Sequence, residues 1–380
     1  GTARPGAPNR HGIPPMTSRA PVVVMMGTRP EAIKLAGLVV ELGDEALVAH
    51  TGQHYDAQLW HNVQADLPGM HVDLHIQCGG RSRGEQIGIV TSEMTRFLSN
   101  RTVRAVVVQG DTNSTLAGAL AANALGLPLI HVEAGLRSDD RRMPEEINRI
   151  LVDCLADLCC APVQQNADRL TAERVQPDRI VVTGNTLWDA MKLIRPTPDD
   201  SNRALSSLNI RPNDYVLATI HRAGTVSDPN RLMILLDALE ELAAQVSVLL
   251  PLHPRTATAI TAAGLDGRWH KIRLLPPLPP RQFMALEASA ALLISDSGGV
   301  QEEACLMRRP LLVLRDSTER PELLDGWCRL LGDTDPKVAI SRAWADTKQW
   351  AADLVTRALP YPMLSASSAI AAEIDRRWPA

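Results

Sequence analysis

Ile294–Ala304 reads ISDSGGVQEEA, and its reading decides the fold. An aliphatic run, Ala290 to Ile294, stops at Asp296-Ser297-Gly298-Gly299, and a helical pattern carrying Glu302 and Glu303 follows. That order is a strand, a glycine turn and a helix whose first turn has backbone N–H groups without helical partners. Ser297 stands at the N-cap position, and the glycines let a ligand's phosphates come close to the backbone. A carboxylate one turn into the helix can accept from both hydroxyls of a ribose. The same pattern also serves an ordinary strand-to-helix turn with a solvated acidic pair.

Working outward, the unit repeats. Pro21–Met26 is an aliphatic strand that ends in Gly27-Thr28-Arg29-Pro30-Glu31, with Pro30 suited to the first turn of a helix running to about Leu42. Ala46–Thr51, a stretch near His71–Ile76, Arg104–Gln109, Pro128–Val132, Leu158–Ala161 and Ile180–Thr183 read as further strands, most of them separated by helical segments. Arg195–Asp214, rich in Pro, Ser and Asp, reads as a linker with a short helix. The alternation then restarts at Tyr215–Ile220 and continues through Val248–Leu250, Ile272–Leu275, Ala290–Ile294 and Leu311–Leu314. Strands alternating with helices predict βαβ units, hence an α/β protein with two doubly wound parallel sheets in series.

A chain of 380 residues exceeds one ordinary core, which agrees with two domains. A formal net charge of −4, without long runs of one sign, gives no support to binding of nucleic acid or a membrane surface. No apolar run approaches spanning length. The six cysteines show no CxxC spacing and read as reduced thiols of a cytoplasmic protein. Gly1–Ala20, rich in Pro, Gly and Arg, reads as a disordered leader, with Met16 a candidate start. There is no G-x-G-x-x-G, P-loop, HExxH or G-x-S-x-G motif, so the sequence asks for no cofactor and no metal.

In such sheets ligands bind beyond the carboxyl ends of the strands. Arg29, Gln53, Asp111, Glu133, His221, His253 and Asp296 all follow strands there. Asp111, Glu133 and Glu145 come from three successive strand-end loops. Converging in a partly dry cleft, they would raise the pKa of at least one and form an acid/base set. Taken singly, Asp111 could instead cap its helix and Glu145 could answer the helix dipole. Arg29, His221, Arg222, His253 and Arg255 are candidate partners for an anionic ligand.

GTRPEAIK (Gly27 to Lys34), QGDTNSTLA (Gln109 to Ala117), HVEAGLRS (His131 to Ser138), MPEEINR (Met143 to Arg149), TGNT (Thr183 to Thr186), the His221-Arg222 pair, HPRT (His253 to Thr256), DSGGVQEEA (Asp296 to Ala304) and RDSTERPE (Arg315 to Glu322) together resemble the non-hydrolysing UDP-N-acetylglucosamine 2-epimerases. The resemblance runs from about Val22 to about Leu324. It implies a GT-B fold and a homodimer, with a leader over 1–20, an N-terminal Rossmann-like domain over 21–195, a nucleotide-binding domain over 196–360 and a C-terminal helix over 361–380 crossing back to the first. It also implies interconversion of UDP-GlcNAc and UDP-ManNAc: UDP leaves C1 as the C2 proton is removed, and re-addition to 2-acetamidoglucal yields the epimer. Such a product would supply amino sugar to surface polysaccharide or secondary metabolism.

Carried over by position, Asp111, Glu133 and Glu145 become the acid/base set and His221 the partner of the leaving diphosphate. Arg29 and Lys34 would face nucleotide and substrate, Ser297, Gly298 and Gly299 the diphosphate, Glu303 the ribose, and Phe283 the uracil. Arg137, Arg222, His253 and Arg320 complete the expected UDP-sugar contacts. The chain departs from relatives at Gly224-Thr225, where many carry an acidic-Asn pair. It departs again at Tyr361–Ser365, where they carry a Gly-Asp-Gly turn. Tyr55-Asp56 and HPRT depart where many bacterial members bind a second UDP-GlcNAc as activator. A hydrolysing epimerase, a GT-B glycosyltransferase and a catalytically silent nucleotide-sugar sensor are the competing readings; the acid trio speaks against the last two.

Overall fold

A computed structural model describes residues 19–53, 67 and 70–379. Residues 1–18 of the expected leader and the Tyr55-Asp56 departure lie outside them. Among the described residues, β1 (Val22–Met26), β2 (Ala46–His50), β3 (Leu74–His75), β4 (Ala105–Gln109), β5 (Leu129–Val132), β6 (Leu158–Ala161) and β7 (Ile180–Val182) form one sheet in the order β3-β2-β1-β4-β5-β6-β7. β8 (Tyr215–Thr219), β9 (Ser247–Pro251), β10 (Arg273–Leu275), β11 (Leu292–Ser295), β12 (Leu311–Val313) and β13 (Cys328–Leu330) form a second, in the order β10-β9-β8-β11-β12-β13. Every pairing is parallel, with Val22 opposite both Ala46 and Ala105, and Leu292 opposite Val216. The runs VVVMM and AVVVQ are buried throughout, as central strands covered by helices on both faces must be.

Strand order reverses between β1 and β4 in the first sheet and between β8 and β11 in the second. A crevice opens at such a switch point, because the helices leaving its two strands go to opposite faces. The Gly27 and Gly110 turns leave the first switch point; His221 and the Asp296–Gly299 turn leave the second. The signature stretches therefore sit where topology makes a pocket.

Helix starts follow local rules. The Arg29–Leu42 helix takes Pro30 in its first turn, and the Asn113–Ala124 helix is capped by the Thr112 side chain accepting from the Thr115 amide. Asp111 is thus not the cap of its helix. The sequence reading passes over helices Gln164–Ala172 and Thr186–Leu193 and strand β13, and it overextends β3, which pairs at two residues only. Arg19, assigned to the disordered leader, is instead held 3.4 Å from Asp375.

The Pro198–Ser207 and Pro336–Thr356 helices pack with the second domain, while the Ala366–Arg377 helix returns to the first, against Arg29–Leu42 and Thr186–Leu193. Its seat is close: the Ser367 amide donates to Asp189 at 2.8 Å, and a Cβ on Gly37 would meet Ser367 Oγ at 2.6 Å. At the departure Tyr361–Ser365, Tyr361 is buried and its hydroxyl donates to Glu322 at 3.0 Å. The chain returning to the first domain is thereby tied to the RDSTERPE loop. No helix among the described residues is long and apolar enough to cross a membrane.

Candidate active site

The first wall is built by Gly27 and Glu31. A Cβ on Gly27 would lie 2.0 Å from Ser114 Oγ and 2.3 Å from Thr51 Oγ1, so only glycine lets the two turns of the first switch point meet. Glu31 is buried and accepts from the Gly27 amide (3.0 Å) and from the hydroxyls of Thr28 (2.8 Å), Thr112 (2.8 Å) and Thr115 (3.1 Å). Burial pushes its pKa up, and these donors offset part of the rise. The acid of GTRPE therefore locks the wall. Arg29, half-buried, reaches across to the Leu278 carbonyl at 3.4 Å.

At the centre an ionic cluster spans both domains. Lys34 Nζ lies 2.8 Å from both Glu133 Oε2 and Glu302 Oε2. Arg320 donates to Glu133 Oε1 at 2.7 Å and to Glu302 at 3.0 Å, and Asn185 donates to Glu302 at 2.7 Å. Gln109 also donates to Glu133. Burial acts to lower the Lys34 pKa, but Glu133 and Glu302 outweigh it and the net direction is up. Glu133 sits at φ 69°, a left-handed conformation that a non-glycine residue keeps only when its surroundings impose it. Its three donors impose it here.

Asp111 pairs with Arg149, which also binds Glu146 at 2.8 Å. Two acids of the trio therefore meet cations rather than one another: Asp111 faces Arg149, and Glu133 faces Lys34 and Arg320. Glu145 lies exposed on the first turn of the Pro144–Leu155 helix and is part of neither network, whereas its neighbour Glu146 is buried. Arg137 does not join the cluster either. It is buried against Asp153 (2.7 Å) and Glu173 (2.6 Å), which take up its charge.

The second domain supplies the anion-facing wall. Asp296 is fully buried and accepts from the backbone amides of His221 (3.1 Å) and Arg222 (2.9 Å), with His221 Nδ1 at 3.3 Å. It holds the His221 loop in place and orients the ring. Burial and the nearby arginines hold His221 below the usual histidine range, against the pull of Asp296. Its ring is then neutral near pH 7, and a bound diphosphate would favour its protonated, charge-stabilising form.

Ser297 is the N-cap of the Gly298–Leu306 helix without making a side-chain cap bond, so capping leaves the first-turn amides available. A Cβ on Gly298 would strike Glu319 Oε1 at 2.8 Å and Arg320 Nη1 at 2.9 Å, whereas Gly299 has room. Glu319 gathers Arg320 (2.6 Å), Arg315 (2.7 Å) and Arg222 (3.3 Å), and these cations hold its carboxyl well below the usual range despite burial. His253 caps the Pro254–Ala262 helix, accepting from the Arg255 amide at 3.1 Å, with its ring 5.4 Å from that of His221. Gly224 leaves open space at the departure noted above, with no atom within 4 Å of an added Cβ.

Adjacent acids on the Gly298–Leu306 helix part company. Glu302 enters the ionic cluster, while Glu303 turns toward Glu287 and the field of Arg29. Phe283, half-buried, lies on the neighbouring Pro280–Ser289 helix. Residue-level reasoning alone missed Arg149, Asn185, Glu302, Glu319 and Glu287. The first four lie inside the quoted motifs, but Glu287 had no signal, since an acid in the last turn of an amphipathic helix reads as solvated.

Two parallel-sheet domains whose switch points meet at one charged cleft make up a GT-B-like fold. A family model described as UDP-N-acetylglucosamine 2-epimerase matches residues 39–375. The chain belongs to the UDP-N-acetylglucosamine 2-epimerase family. It is 37% identical over 328 residues to the UDP-N-acetylglucosamine 2-epimerase of Methanocaldococcus jannaschii, covering 83% of this chain and 89% of that one. It is 35% identical over 315 residues to the UDP-2,3-diacetamido-2,3-dideoxy-D-glucuronate 2-epimerase of Pseudomonas aeruginosa, covering 80% and 85%. The crystal structure of the Methanocaldococcus jannaschii enzyme in complex with UDP-GlcNAc and UDP superimposes with a TM-score of 0.84 at 32% identity, covering 93% of this chain and 99% of that one. The family's members are isomerases, as the sequence resemblance implied.

Proposed function

We propose that this chain interconverts UDP-GlcNAc and UDP-ManNAc by eliminating UDP to give 2-acetamidoglucal, reprotonating C2 on the opposite face and returning UDP to C1. The observation that carries the reading is the meeting of the two switch points. Glu133 of the first domain reaches Arg320, whose guanidinium lies against the helix start at Gly298, and His221, held by the buried Asp296, leaves the same switch point of the second domain. The C2 hydrogen is not acidic, so removing it requires departure of the diphosphate in the same step. One wall must therefore carry acid/base groups and the other must stabilise growing phosphate charge. Asp111, Glu133 and Glu145 are assigned the proton transfers, and Glu145 reaches the substrate only if its exposed turn closes over it. His221, Arg29 and Arg222 take the diphosphate with the Ser297-Gly298-Gly299 turn, Glu303 the ribose and Phe283 the uracil. Lys34 and Arg320 hold Glu133 in place. A homodimer acting in the cytoplasm belongs to this reading through the family resemblance, and light scattering tests the dimer.

A proton NMR time course with UDP-GlcNAc in deuterated water is the direct test. UDP-ManNAc should appear with deuterium at C2. Epimer formed without deuterium rejects exchange at C2, and free ManNAc with UDP as the main product supports the hydrolysing alternative.

The ribose assignment has its own test. A charge-assisted hydrogen bond contributes roughly 1.5–3 kcal/mol, so Glu303→Ala should weaken UDP binding at least about tenfold in a calorimetric titration. Glu302→Ala should leave UDP affinity within about threefold, since a 3.6-residue turn sets adjacent side chains about 100° apart. The reverse ranking would show that the assignment is off by one residue.

A further inference from the structure

A second carboxyl lies buried beside Glu303. Glu287 sits one helical turn after Phe283 on the Pro280–Ser289 helix and is 1% exposed. Among the described residues no donor satisfies either of its oxygens; what faces it is the Glu303 carboxyl, with the Arg29 charge beyond. Tyr215 is also within reach of its field, but the Tyr215 hydroxyl is spent on the Leu286 carbonyl. A fully buried carboxyl without a donor ionises poorly beside a second carboxyl, so Glu287 is the one that keeps a proton to share. The direction of sharing is set by the surroundings. Burial and the neighbouring Glu303 push Glu287 well above the usual carboxyl range; burial raises Glu303 too, with the Glu287 hydrogen bond working against that rise. Lys34 and Arg29 act on Glu303 in the same sense as that bond.

We propose that Glu287 is a positioning residue for nucleotide recognition: its neutral carboxyl donates to one oxygen of Glu303 and leaves the other oxygen turned to the paired hydroxyls of the ribose. This rests on the assignment of Glu303 to the ribose. It adds that the acid on the first helix exists to orient the acid on the second. Phe283 and Glu287, one turn apart, then make a single face of the Pro280–Ser289 helix serve both base and sugar of the nucleoside.

The test is calorimetric titration of UDP and 2′-deoxy-UDP into the wild type, Glu287→Gln, Glu287→Leu and Glu303→Ala. The wild type should prefer UDP by at least about tenfold, the scale of one hydrogen bond to a charged group. Glu287→Gln, whose amide can still donate, should keep that preference within about twofold. Glu287→Leu should melt no lower than the wild type, because it removes a buried carboxyl, yet lose most of the preference. Glu287→Ala reads the same loss if leucine does not pack. Full preference retained by both Glu287→Leu and Glu287→Ala overturns the proposal while Glu303→Ala upholds the ribose assignment. Preference retained by Glu303→Ala overturns the assignment itself.

Discussion

Glu133→Gln should lower epimerase turnover at least about a hundredfold, the usual scale for loss of a general acid or base. The substitution keeps size and shape but removes the charge that meets Lys34 at 2.8 Å and Arg320 at 2.7 Å. It also removes the carboxylate to which a proton transfer is assigned above, at the end of β5, the strand two places from the switch-point strand β1. Lys34 and Arg320 keep Glu302 as a partner, and Arg320 keeps Glu319, so the fold should survive, and circular dichroism can verify it. UDP affinity should change little, since none of the nucleotide contacts proposed above falls to Glu133. Asp111→Asn and Glu145→Gln should show comparable losses. A folded Glu133→Gln protein with near-normal turnover would mean that Glu133 is only an ionic strut between the domains.

Glu302→Ala should act on stability instead. Its carboxylate, 1% exposed, joins Lys34 and Asn185 of the first domain to Arg320 of the second. A buried ion pair can be close to neutral overall, because desolvation offsets attraction. Removing one member is different, since its partners stay buried with their charge less compensated, at about 3–5 kcal/mol. For domains of this size each kcal/mol shifts the midpoint by about 2–4 °C. A fall in Tm on the order of 10 °C is therefore expected by calorimetry. Glu302→Gln, which can still accept from Asn185, should fall less. A midpoint for Glu302→Ala within about 2 °C of the wild type would refute the view that this cluster holds the domains together.

By itself the sequence determined the two parallel sheets and the location of the site. Aliphatic runs such as VVVMM and AVVVQ can only be buried central strands, and the glycine turns after them can only stand at strand ends. These are local properties of backbone and side chain, legible from a few consecutive residues. The motif resemblance added which loops carry chemistry. What the tertiary structure alone decided is which member of each acidic pair faces inward. Glu302 and Glu303 are divided between two clusters by the angle at which one helix docks, and Glu146 rather than Glu145 is buried for the same reason. Lys34 and Glu302, 268 positions apart, meet only because two domains approach, and Glu287 comes beside Glu303 only because two helices dock there. Arg137 follows the same rule: its neighbours in sequence suggest a ligand contact, but Asp153 and Glu173 reach it first in the folded chain. Docking angles depend on the summed shape of many side chains, so no short stretch of sequence contains them.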